Sequence, residues 1–588
     1  LQAAVWGKDK SLAYIFENNV YYLPDAEHPS LIIPLTQDGI PGQVYYGVTD
    51  WIYEEEIFDA AEALWFSPKG SYLAVASFND TKVESAIYPY YGENQYPQLI
   101  KFKYPKAGSK NPVVGLRVFK INNLEEEPWV IPAPVNVIGV DHVLGRVNWA
   151  TDHNLIVFWL NRRQNISVLA NCDLKKDKCD LMEEKTEPNG WIDITEPIFD
   201  KFGTEMLDVQ PTYNGEQRYK HATIFNFKTL VTKDLSPGNS TVMEVLSWNY
   251  ETDTAYYLVS PSETPWERQV WSTRNGVVQC VSCQEPSCHS VQATFAPGGR
   301  FSIFACSASM ITPKYFLFNS KENTLKLLKD NLKLDAKLSE YRKGVPLYTI
   351  MPLSNDVVAH VKLLLPPDMQ LDNKYPMIVK VYAGPDYSTY LAANRSFIVC
   401  YIDVRGSAAM GVEALHSINN ALGTLEVADT LHTHRFIDKY RIGVWGWSYG
   451  GFTTGMMLAN DNTNTIACAA AVAPVTSWIY YDSIYTERFM DTPAHNRAGY
   501  EQSSLINNAE KLRGRRLLLI HGSGDDNVHY QNSMLLAKRL QHLDIAFEQM
   551  SYADENHSLL GVSRHLYHTL DHFWTECFAH VFIRLCKF

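Results

Sequence analysis

The sequence predicts a β-propeller over residues 1–345 and an α/β domain with a mostly parallel sheet over residues 346–588. Short strands with alternating apolar residues, together with a recurring strand–turn–strand phrase, predict the propeller. Buried strands that are each followed by a loop and a helix predict the second domain. The length has room for roughly three or four average domains, so the two predicted units are both large.

The strand–turn–strand phrase recurs through the first domain. Its copies begin at Val5, Trp65, Trp149, Phe199, Trp248 and Phe295. The last four begin about 50 residues apart, which is the period of a four-stranded propeller blade, although a generic β-sandwich remains the alternative. The Tyr- and Pro-rich stretch from Tyr88 to Gly108 lengthens the interval between the copies that begin at Trp65 and Trp149. We interpret it as an insertion, either an interaction arm or a passive surface loop.

Composition limits the partners and the compartment. The net charge of −13 argues against nucleic acid and anionic membranes, because both need a basic face. No apolar run approaches the roughly 20 residues of a membrane helix. Ten cysteines and sequons at Asn79, Asn165, Asn239 and Asn394 predict a disulfide-bonded glycoprotein on the extracytoplasmic side. Zinc at Cys280 and Cys283 is the weaker alternative, because His289 is their only nearby histidine.

After about residue 350 strands and helices alternate. We expect strands over 375–382, 397–403, 441–445, 516–521 and 547–552. The stretch 424–436 has helical spacing and should place Glu426 on a polar face. Because alternating elements build parallel sheets, the carboxyl ends of these strands should share one edge.

Gly446 to Gly450 reads Gly-Trp-Ser-Tyr-Gly, between a strand and a helix rich in small residues. This is the pattern of a nucleophile elbow, which exposes a serine, here Ser448, at the start of a helix and is typical of α/β-hydrolases. A serine nucleophile needs a base and an orienting acid, which follow it in the order acid, then histidine. Asp525 and Asp526 compete for the acid, and His557, after the last strand, is the best base.

The oxyanion of such a reaction needs hydrogen-bond donors. The backbone N–H of Tyr449 is one, since Tyr449 follows the nucleophile. Tyr382, after an earlier strand, offers a hydroxyl, although a packing role is the alternative. His565, His568 and His572 share a predicted helix but have no evident carboxylate or cysteine companion, so we predict no metal site and no cofactor.

The propeller carries one unusual run, from Asp50 to Glu56, with three consecutive carboxylates at its end. Such a run is most often a solvated surface. Beside a hydrolase, a fixed carboxylate pair would instead bind the free α-amino group of a peptide. That would make the site an exopeptidase that measures from the N-terminus.

These motifs together resemble the dipeptidyl peptidase IV family. The resemblance is carried by Asp-Trp-Ile-Tyr-Glu-Glu-Glu (50–56), Tyr-Ala-Gly-Pro (382–385), Gly-Trp-Ser-Tyr-Gly-Gly (446–451), Asp-Asp-Asn-Val-His (525–529) and Asp-Glu-Asn-His (554–557). It implies an eight-bladed propeller on an α/β-hydrolase, and removal of Xaa-Pro or Xaa-Ala dipeptides from free N-termini. Since we find only six repeats, we expect the first blades of the family to be missing here.

The resemblance also implies residue roles. Ser448, Asp525 and His557 resemble the catalytic triad, which favours Asp525 over Asp526. Tyr382 resembles the oxyanion tyrosine, and Glu55 and Glu56 the amine-binding pair. The wall of the proline pocket is expected from four residues, Val475, Trp478, Tyr481 and Tyr485. Asn527 resembles the residue that holds the substrate's second-residue carbonyl.

The implied disulfides are Cys172–Cys179, Cys280–Cys283, Cys288–Cys306 and Cys468–Cys577, with Cys400 and Cys586 unpaired. Family analogy further implies a homodimer, either secreted or anchored as a type II membrane protein.

Three functions compete. The first is the serine dipeptidyl peptidase. The second is a catalytically weak or inactive membrane glycoprotein that modulates a partner such as an ion channel, and the presence of Ser448, Asp525 and His557 speaks against it. The third is an endopeptidase, which would not need the amine-binding pair Glu55 and Glu56.

Overall fold

The structure is a computed structural model that describes residues 1–309, 311–353, 358–370, 372–382, 397–428 and 437–585. Up to residue 329, strands form six antiparallel sheets that follow one another along the chain as propeller blades. These six blades match the six predicted repeats in number and in order. The second blade also carries a separate two-stranded hairpin, residues 85–103, which overlaps the predicted insertion.

The first three blades span residues 3–186. The first blade has β1 (Ala3–Trp6), β2 (Leu12–Phe16), β3 (Asn19–Leu23) and β4 (Ile33–Pro34). The second has β5 (Val44–Tyr46), β6 (Leu64–Phe66), β7 (Tyr72–Asn79), the hairpin β8 (Ser85–Tyr90) and β9 (Gln98–Lys103), then β10 (Val113–Lys120) and β11 (Trp129–Val130). The third has β12 (His142–Trp149), β13 (Asn154–Asn161), β14 (Ile166–Asp173) and β15 (Lys178–Thr186).

The remaining blades are regular. The fourth has β16 (Ile198–Phe199), β17 (Glu205–Asn214), β18 (Gln217–Asn226) and β19 (Val231–Asp234). The fifth has β20 (Thr241–Asn249), β21 (Thr254–Ser260), β22 (Gln269–Arg274) and β23 (Val277–Cys280). The sixth has β24 (Ser290–Phe295), β25 (Phe301–Ala308), β26 (Ile311–Asn319) and β27 (Thr324–Lys329). Short helices α1 (Trp51–Tyr53), α2 (Val135–Ile138) and α3 (Leu332–Leu338) lie between strands or after them.

Blades pack face to face, which explains why their inner strands are apolar on both faces. Every residue of β13 except its two ends is buried. Between the second and third blades, Phe78 and Leu116 pack with Leu144 and Trp159. Similar apolar clusters join each successive pair of blades from the first to the sixth. This is the burial expected of a propeller, where each sheet is covered by its neighbours.

The second domain is built on one eight-stranded sheet. Its strands are β28 (Val345–Pro352), β29 (Val358–Leu365), β30 (Tyr375–Lys380), β31 (Ile398–Asp403), β32 (Ile437–Trp447), β33 (Ile466–Val472), β34 (Arg516–Gly522) and β35 (Glu548–Tyr552). They lie in the order β28-β29-β31-β30-β32-β33-β34-β35. The first two pairings are antiparallel and the others are parallel.

Helices cover both faces of this sheet. They are α4 (Val412–His416), α5 (Leu425–Ala428), α6 (Tyr449–Asn460), α7 (Ser483–Met490), α8 (Arg497–Gln502), α9 (Gln531–His542) and α10 (Ser563–Leu585). Apolar residues of α6 and α9 pack on one face, and those of α10 on the other. Because β32, β34 and β35 are parallel, the loops after them meet at one edge, which faces the propeller.

One expectation about a helix is wrong. The described part of the predicted 424–436 helix is α5, and residues 429–436 lie outside the described residues. Glu426 is fully buried rather than on a polar face. Its Oε1 accepts hydrogen bonds from the Tyr449 hydroxyl at 2.9 Å and from the Gly423 N–H. These bonds only partly offset the loss of water, because burial still raises the pKa of Glu426.

Candidate active site

Ser448 occupies a strained turn between β32 and α6. Its φ is +62°, in the left-handed region that side chains other than glycine rarely adopt. A Cβ would lie 2.4 Å from the Val381 carbonyl oxygen at Gly446 and 2.3 Å from it at Gly450. Both positions therefore need glycine for the turn to approach the Val381 backbone this closely. The Ser448 N–H donates to the Val472 carbonyl at 2.9 Å. The predicted elbow geometry is therefore present, and Ser448 caps the positive end of α6.

The residues predicted as oxyanion donors lie beside this turn. Tyr449 begins α6, so its N–H belongs to the first turn, where amides have no intrahelical partner. The Tyr382 ring lies 6.0 Å from the Tyr449 ring, centroid to centroid. The Tyr382 carbonyl accepts a hydrogen bond from Thr453 Oγ1 at 3.1 Å, which fixes the Tyr382 backbone against α6.

Asp525 and His557 form the acid–histidine pair. His557 Nδ1 lies 2.7 Å from Asp525 Oδ2, and Asp525 is 1% exposed. Burial disfavours the charged carboxylate, but His557 and His521 outweigh it and lower the pKa of Asp525 to about 2. Burial likewise opposes the imidazolium, but Asp525 outweighs it and raises the pKa of His557. Asp525 therefore stays charged, which makes neutral His557 a stronger base and stabilises the imidazolium that forms when His557 takes a proton.

His521 also contacts the acid. Its Nε2 lies 3.0 Å from the same oxygen of Asp525, and its Nδ1 lies 2.7 Å from the Ser533 hydroxyl. The other oxygen of Asp525 accepts the Asn527 N–H at 3.0 Å. Asp525 is thus held by three donors, whereas Asp526 accepts from Trp51 Nε1 at 3.3 Å and acts on His557 only through its charge, which helps to raise the pKa of His557.

A cluster of carboxylates from both domains lies in the same cleft. Glu55 accepts from Asn527 Nδ2 at 2.6 Å. Burial raises the pKa of Glu56 well above its usual range, and neighbouring Asp482 raises it further. Burial also raises the pKa of Asp482 to about 7, although Arg488 opposes the shift. The cluster is short of positive charge, so a cation brought into the cleft would be bound by these groups.

Asp482 was missed at the sequence level. It is the N-cap of α7 and accepts the Tyr485 N–H at 2.8 Å, so the Asp-Ser-Ile-Tyr sequence reads as an ordinary helix start. Its neighbours in space, Glu55 and Glu56, precede it by more than 400 residues. No local signal in the sequence could have joined them.

A cluster of aromatic side chains adjoins the carboxylates. The rings of Trp478 and Tyr485 stack at 6.0 Å, and Tyr481 meets Tyr485 edge-on at 5.3 Å. Val475 and Trp478 are buried. The Tyr481 hydroxyl donates to Asn527 Oδ1 at 2.8 Å, which orients the Asn527 amide. The residues predicted to form a proline pocket are therefore neighbours.

Comparison with known proteins assigns the chain to a family. Residues 1–313 match the profile of the dipeptidyl peptidase IV N-terminal region, and residues 385–581 match that of the prolyl oligopeptidase family. The chain belongs to the dipeptidyl peptidase IV family. This confirms the resemblance, the propeller and α/β-hydrolase fold, and the class of enzyme, a serine-type dipeptidyl peptidase.

The family relatives cover nearly the whole chain. Venom dipeptidyl peptidase 4 of Vespa velutina is 39% identical, over 97% of this chain and 78% of the relative. Human prolyl endopeptidase FAP is 33% identical over the same shares. The crystal structure of Porphyromonas gingivalis dipeptidyl peptidase 4 superposes with a TM-score of 0.89 at 28% identity, covering 98% of this chain and 82% of that one.

Cysteine pairs stabilise both domains of this family member. The structure joins Cys172 to Cys179, Cys280 to Cys283, Cys288 to Cys306 and Cys468 to Cys577. Cys400 is a buried thiol, and Cys586 lies outside the described residues. Cys280 and Cys283 are thus bonded to each other, so the zinc alternative fails.

Among the described residues, the one cluster with metal-ligand spacing is Asp25, Glu27 and His28, remote from the predicted histidine helix.

The sequons differ in exposure. Asn79 and Asn239 are exposed, whereas Asn165 is 8% exposed, which argues against a glycan there. Asn394 lies outside the described residues. No helix in the described ranges is long and apolar enough to cross a membrane.

Proposed function

We propose that the chain releases Xaa-Pro and Xaa-Ala dipeptides from the free N-termini of peptides, through an acyl-enzyme on Ser448. One observation carries the proposal. Asn527 touches both the amine-binding cluster and the triad, since its Nδ2 donates to Glu55 at 2.6 Å and its N–H to Asp525 at 3.0 Å. An amino group bound at the cluster would therefore lie only a short peptide away from the nucleophile.

The proposed chemistry follows from the geometry. Ser448 Oγ attacks the carbonyl carbon of the substrate's second residue, while His557 Nε2 takes the proton of the Ser448 hydroxyl. Asp525 holds the His557 Nδ1–H and stabilises the imidazolium. The Tyr449 N–H and the Tyr382 hydroxyl bind the oxyanion. His557 then protonates the leaving amine, and a water molecule releases the dipeptide by the same steps in reverse.

The cleft supplies the proposed specificity. The substrate ammonium would be bound by Glu55, Glu56 and Asp482, whose pKa values are raised by burial and by neighbouring carboxylates. The second residue would enter the slot formed by Val475, Trp478, Tyr481 and Tyr485, which suits a pyrrolidine ring or a methyl group. The resemblance implied the second-residue carbonyl as the partner of Asn527, but Ser448 attacks that carbonyl and the oxyanion donors bind it. We therefore assign the second hydrogen of Asn527 Nδ2 to the carbonyl of the first residue, which precedes the proline.

We also propose an extracytoplasmic, glycosylated homodimer, either secreted or membrane-anchored. Four disulfides and exposed sequons at Asn79 and Asn239 support the oxidising compartment. Light scattering tests the dimer, and glycosidase treatment of the protein from eukaryotic cells tests the glycans.

Hydrolysis of Gly-Pro-p-nitroanilide by the wild type and by Ser448→Ala tests the reaction. We expect turnover by the wild type and a loss on the order of 10⁶-fold in the variant, as for other serine nucleophiles. An inactive wild type would favour the channel-modulating alternative. An endopeptidase would cleave prolyl bonds equally well inside N-terminally blocked peptides.

A further inference from the structure

The hairpin β8–β9 of the second blade contacts the loop that carries His557. At its tip, the N–H groups of Tyr91 and Gly92 donate to Asp554 Oδ1 and Oδ2, each at 2.8 Å. Both oxygens of one carboxylate are thereby bound to consecutive amides of the propeller. Asp554 precedes His557 by three residues in the loop between β35 and α10.

Asp554 is also fixed on its other side. Its φ is +62°, and its N–H donates to Ser523 Oγ at 2.8 Å. The next residue, Glu555, accepts the Gly524 N–H at 3.0 Å. A Cβ at Gly522 would lie 2.2 Å from the Glu555 carbonyl oxygen, so the two loops that carry Asp525 and His557 are in close backbone contact.

The same blade touches the Asp525 loop as well. Trp51 Nε1 donates to Asp526 Oδ2 at 3.3 Å, and the Tyr104 hydroxyl donates to the Asn527 carbonyl at 2.9 Å. One blade therefore supplies the amine-binding glutamates and contacts both loops of the acid–histidine pair. The sequence predicted the Tyr88 to Gly108 stretch as an insertion but did not indicate what it contacts.

We propose that the hairpin of the second blade positions the catalytic histidine, and that Asp554 is the positioning residue through which it acts. This inference rests on the proposed function, in which His557 is the base. The hydrolase fixes the inner side of the His557 loop through Ser523, Gly524 and the hydrogen bond from Trp447 Nε1 to the His557 carbonyl at 3.0 Å. The outer side is fixed from the propeller, through Asp554.

Release of Asp554 should therefore act on chemistry and leave substrate binding unchanged. Proton transfer depends on the His557 ring being held at 2.7 Å from Asp525, and a displacement of the order of 1 Å costs about 100-fold in rate. The amine-binding glutamates stand on the blade itself, and the cluster of aromatic side chains stands on the segment that leads into α7. Neither depends on Asp554.

Two variants break the contact from opposite sides. Asp554→Asn keeps the size and suits the left-handed backbone, but its amide presents a donor to one of the two N–H groups. Tyr91→Pro removes one of those N–H groups more than 400 residues away in the sequence. Tyr91→Phe keeps the N–H and is its control. Lys106→Met is a second control, because Lys106 Nζ joins the same insertion to Gln531 of α9 at 2.5 Å and is not a partner of Asp554.

We expect kcat for Gly-Pro-p-nitroanilide to fall about 10- to 100-fold in Asp554→Asn and Tyr91→Pro. The inhibition constant of a dipeptide product should change by less than about twofold, and the double variant should be no worse than the more impaired single variant. The controls should match the wild type. Without substrate, the low-field proton resonance of the His557–Asp525 hydrogen bond should weaken in both variants and persist in both controls.

The proposal is overturned if either variant keeps the wild-type kcat and the low-field resonance. It is also overturned if the inhibition constant rises in step with the loss of kcat, or if kcat falls only where light scattering shows a changed oligomeric state. Because the resonance needs no turnover, an inactive wild type would refute the proposed function and still leave the hairpin contact measurable.

Discussion

Asp525 and Asp482 are both buried acids at one cleft, yet they are in opposite electrostatic states. Asp525 is 1% exposed and has its pKa lowered to about 2, while Asp482 is 0% exposed and has its pKa raised to about 7. Burial raises the pKa of both. The difference comes from their neighbours, because two histidines outweigh burial at Asp525, whereas Arg488 does not outweigh burial at Asp482 and the Glu55 charge adds to it.

Under the proposed function, Asp525 serves the catalytic histidine and Asp482 serves the substrate ammonium. A carboxylate that already has its cationic partner is set up for catalysis, because its charge stabilises the imidazolium that forms on His557. A group of carboxylates without enough cations is set up for binding, because a substrate ammonium completes it. The two acids should therefore fail in different kinetic parameters when they are altered.

The largest effect is expected from the catalytic acid. Asp525→Asn should lower kcat by about 10⁴-fold with little change in KM, because the amide presents the wrong partner to His557 Nδ1. Steady-state kinetics on Gly-Pro-p-nitroanilide measure both parameters. Asp526→Asn is the matched control, since Asp526 is hydrogen-bonded to Trp51, whereas His557 Nδ1 is hydrogen-bonded to Asp525. Equal losses in the two variants would contradict the assignment of Asp525.

Substitution of Asp482, the proposed binding acid, should have a smaller effect, and this effect should be on KM rather than on kcat. Asp482→Asn keeps the cap of α7, because an asparagine also accepts the Tyr485 N–H. We expect kcat/KM for dipeptide amides to fall about 10- to 100-fold, mainly through KM, since one partner of a charge pair is lost. If kcat falls instead, with KM unchanged, Asp482 does not belong to the amine site.

The acid cluster also predicts a pH dependence of binding. Asp482 takes up a proton as pH falls through about 7, and the ammonium of a product dipeptide binds the ionised form. The affinity for Gly-Pro should therefore fall from pH 8 to pH 6, and Asp482→Asn should flatten this change. Calorimetric titration over this range measures it. A wild-type affinity that does not change with pH would show that the cluster is already ionised.

The smallest effect concerns stability. Asp80 and Asp50 form a second buried acid pair in the second blade, and Asp50 caps α1, which leads into Glu55 and Glu56. Burial raises the pKa of Asp80 to about 7, although Lys103 opposes the shift. A raised folded pKa gives stability that is present below the unfolded pKa near 4 and is lost as pH rises through 7.

Asp80→Asn removes this charge and keeps a donor toward Asp50. Its Tm should exceed that of the wild type at pH 8, and the difference should vanish near pH 4. Scanning calorimetry at the two pH values checks this. A variant that is less stable than the wild type at pH 8 would contradict the buried acid pair.

The fold, the elbow and the acid–histidine pair could be predicted because their signals are local or topological. The strand–turn–strand phrase marks each blade, and glycines mark the elbow around Ser448. The order of parallel strands places His557 and the Asp525–Asp526 pair at one edge, and the family resemblance favoured Asp525. Glu426, Asp482 and Asp554 could not be assigned in this way. Their roles depend on where distant segments meet, and each reads in the sequence as an ordinary helix or turn residue.

The most direct test of the account compares free and blocked substrates. The ratio of kcat/KM for Gly-Pro-p-nitroanilide to that for its N-acetyl form measures how much the enzyme depends on the substrate ammonium. We predict a ratio of about 10²- to 10³-fold in the wild type, which the combined Glu55→Gln and Glu56→Gln variant should largely remove. A ratio near one in the wild type would contradict the account, because the carboxylate cluster would then not select a free N-terminus.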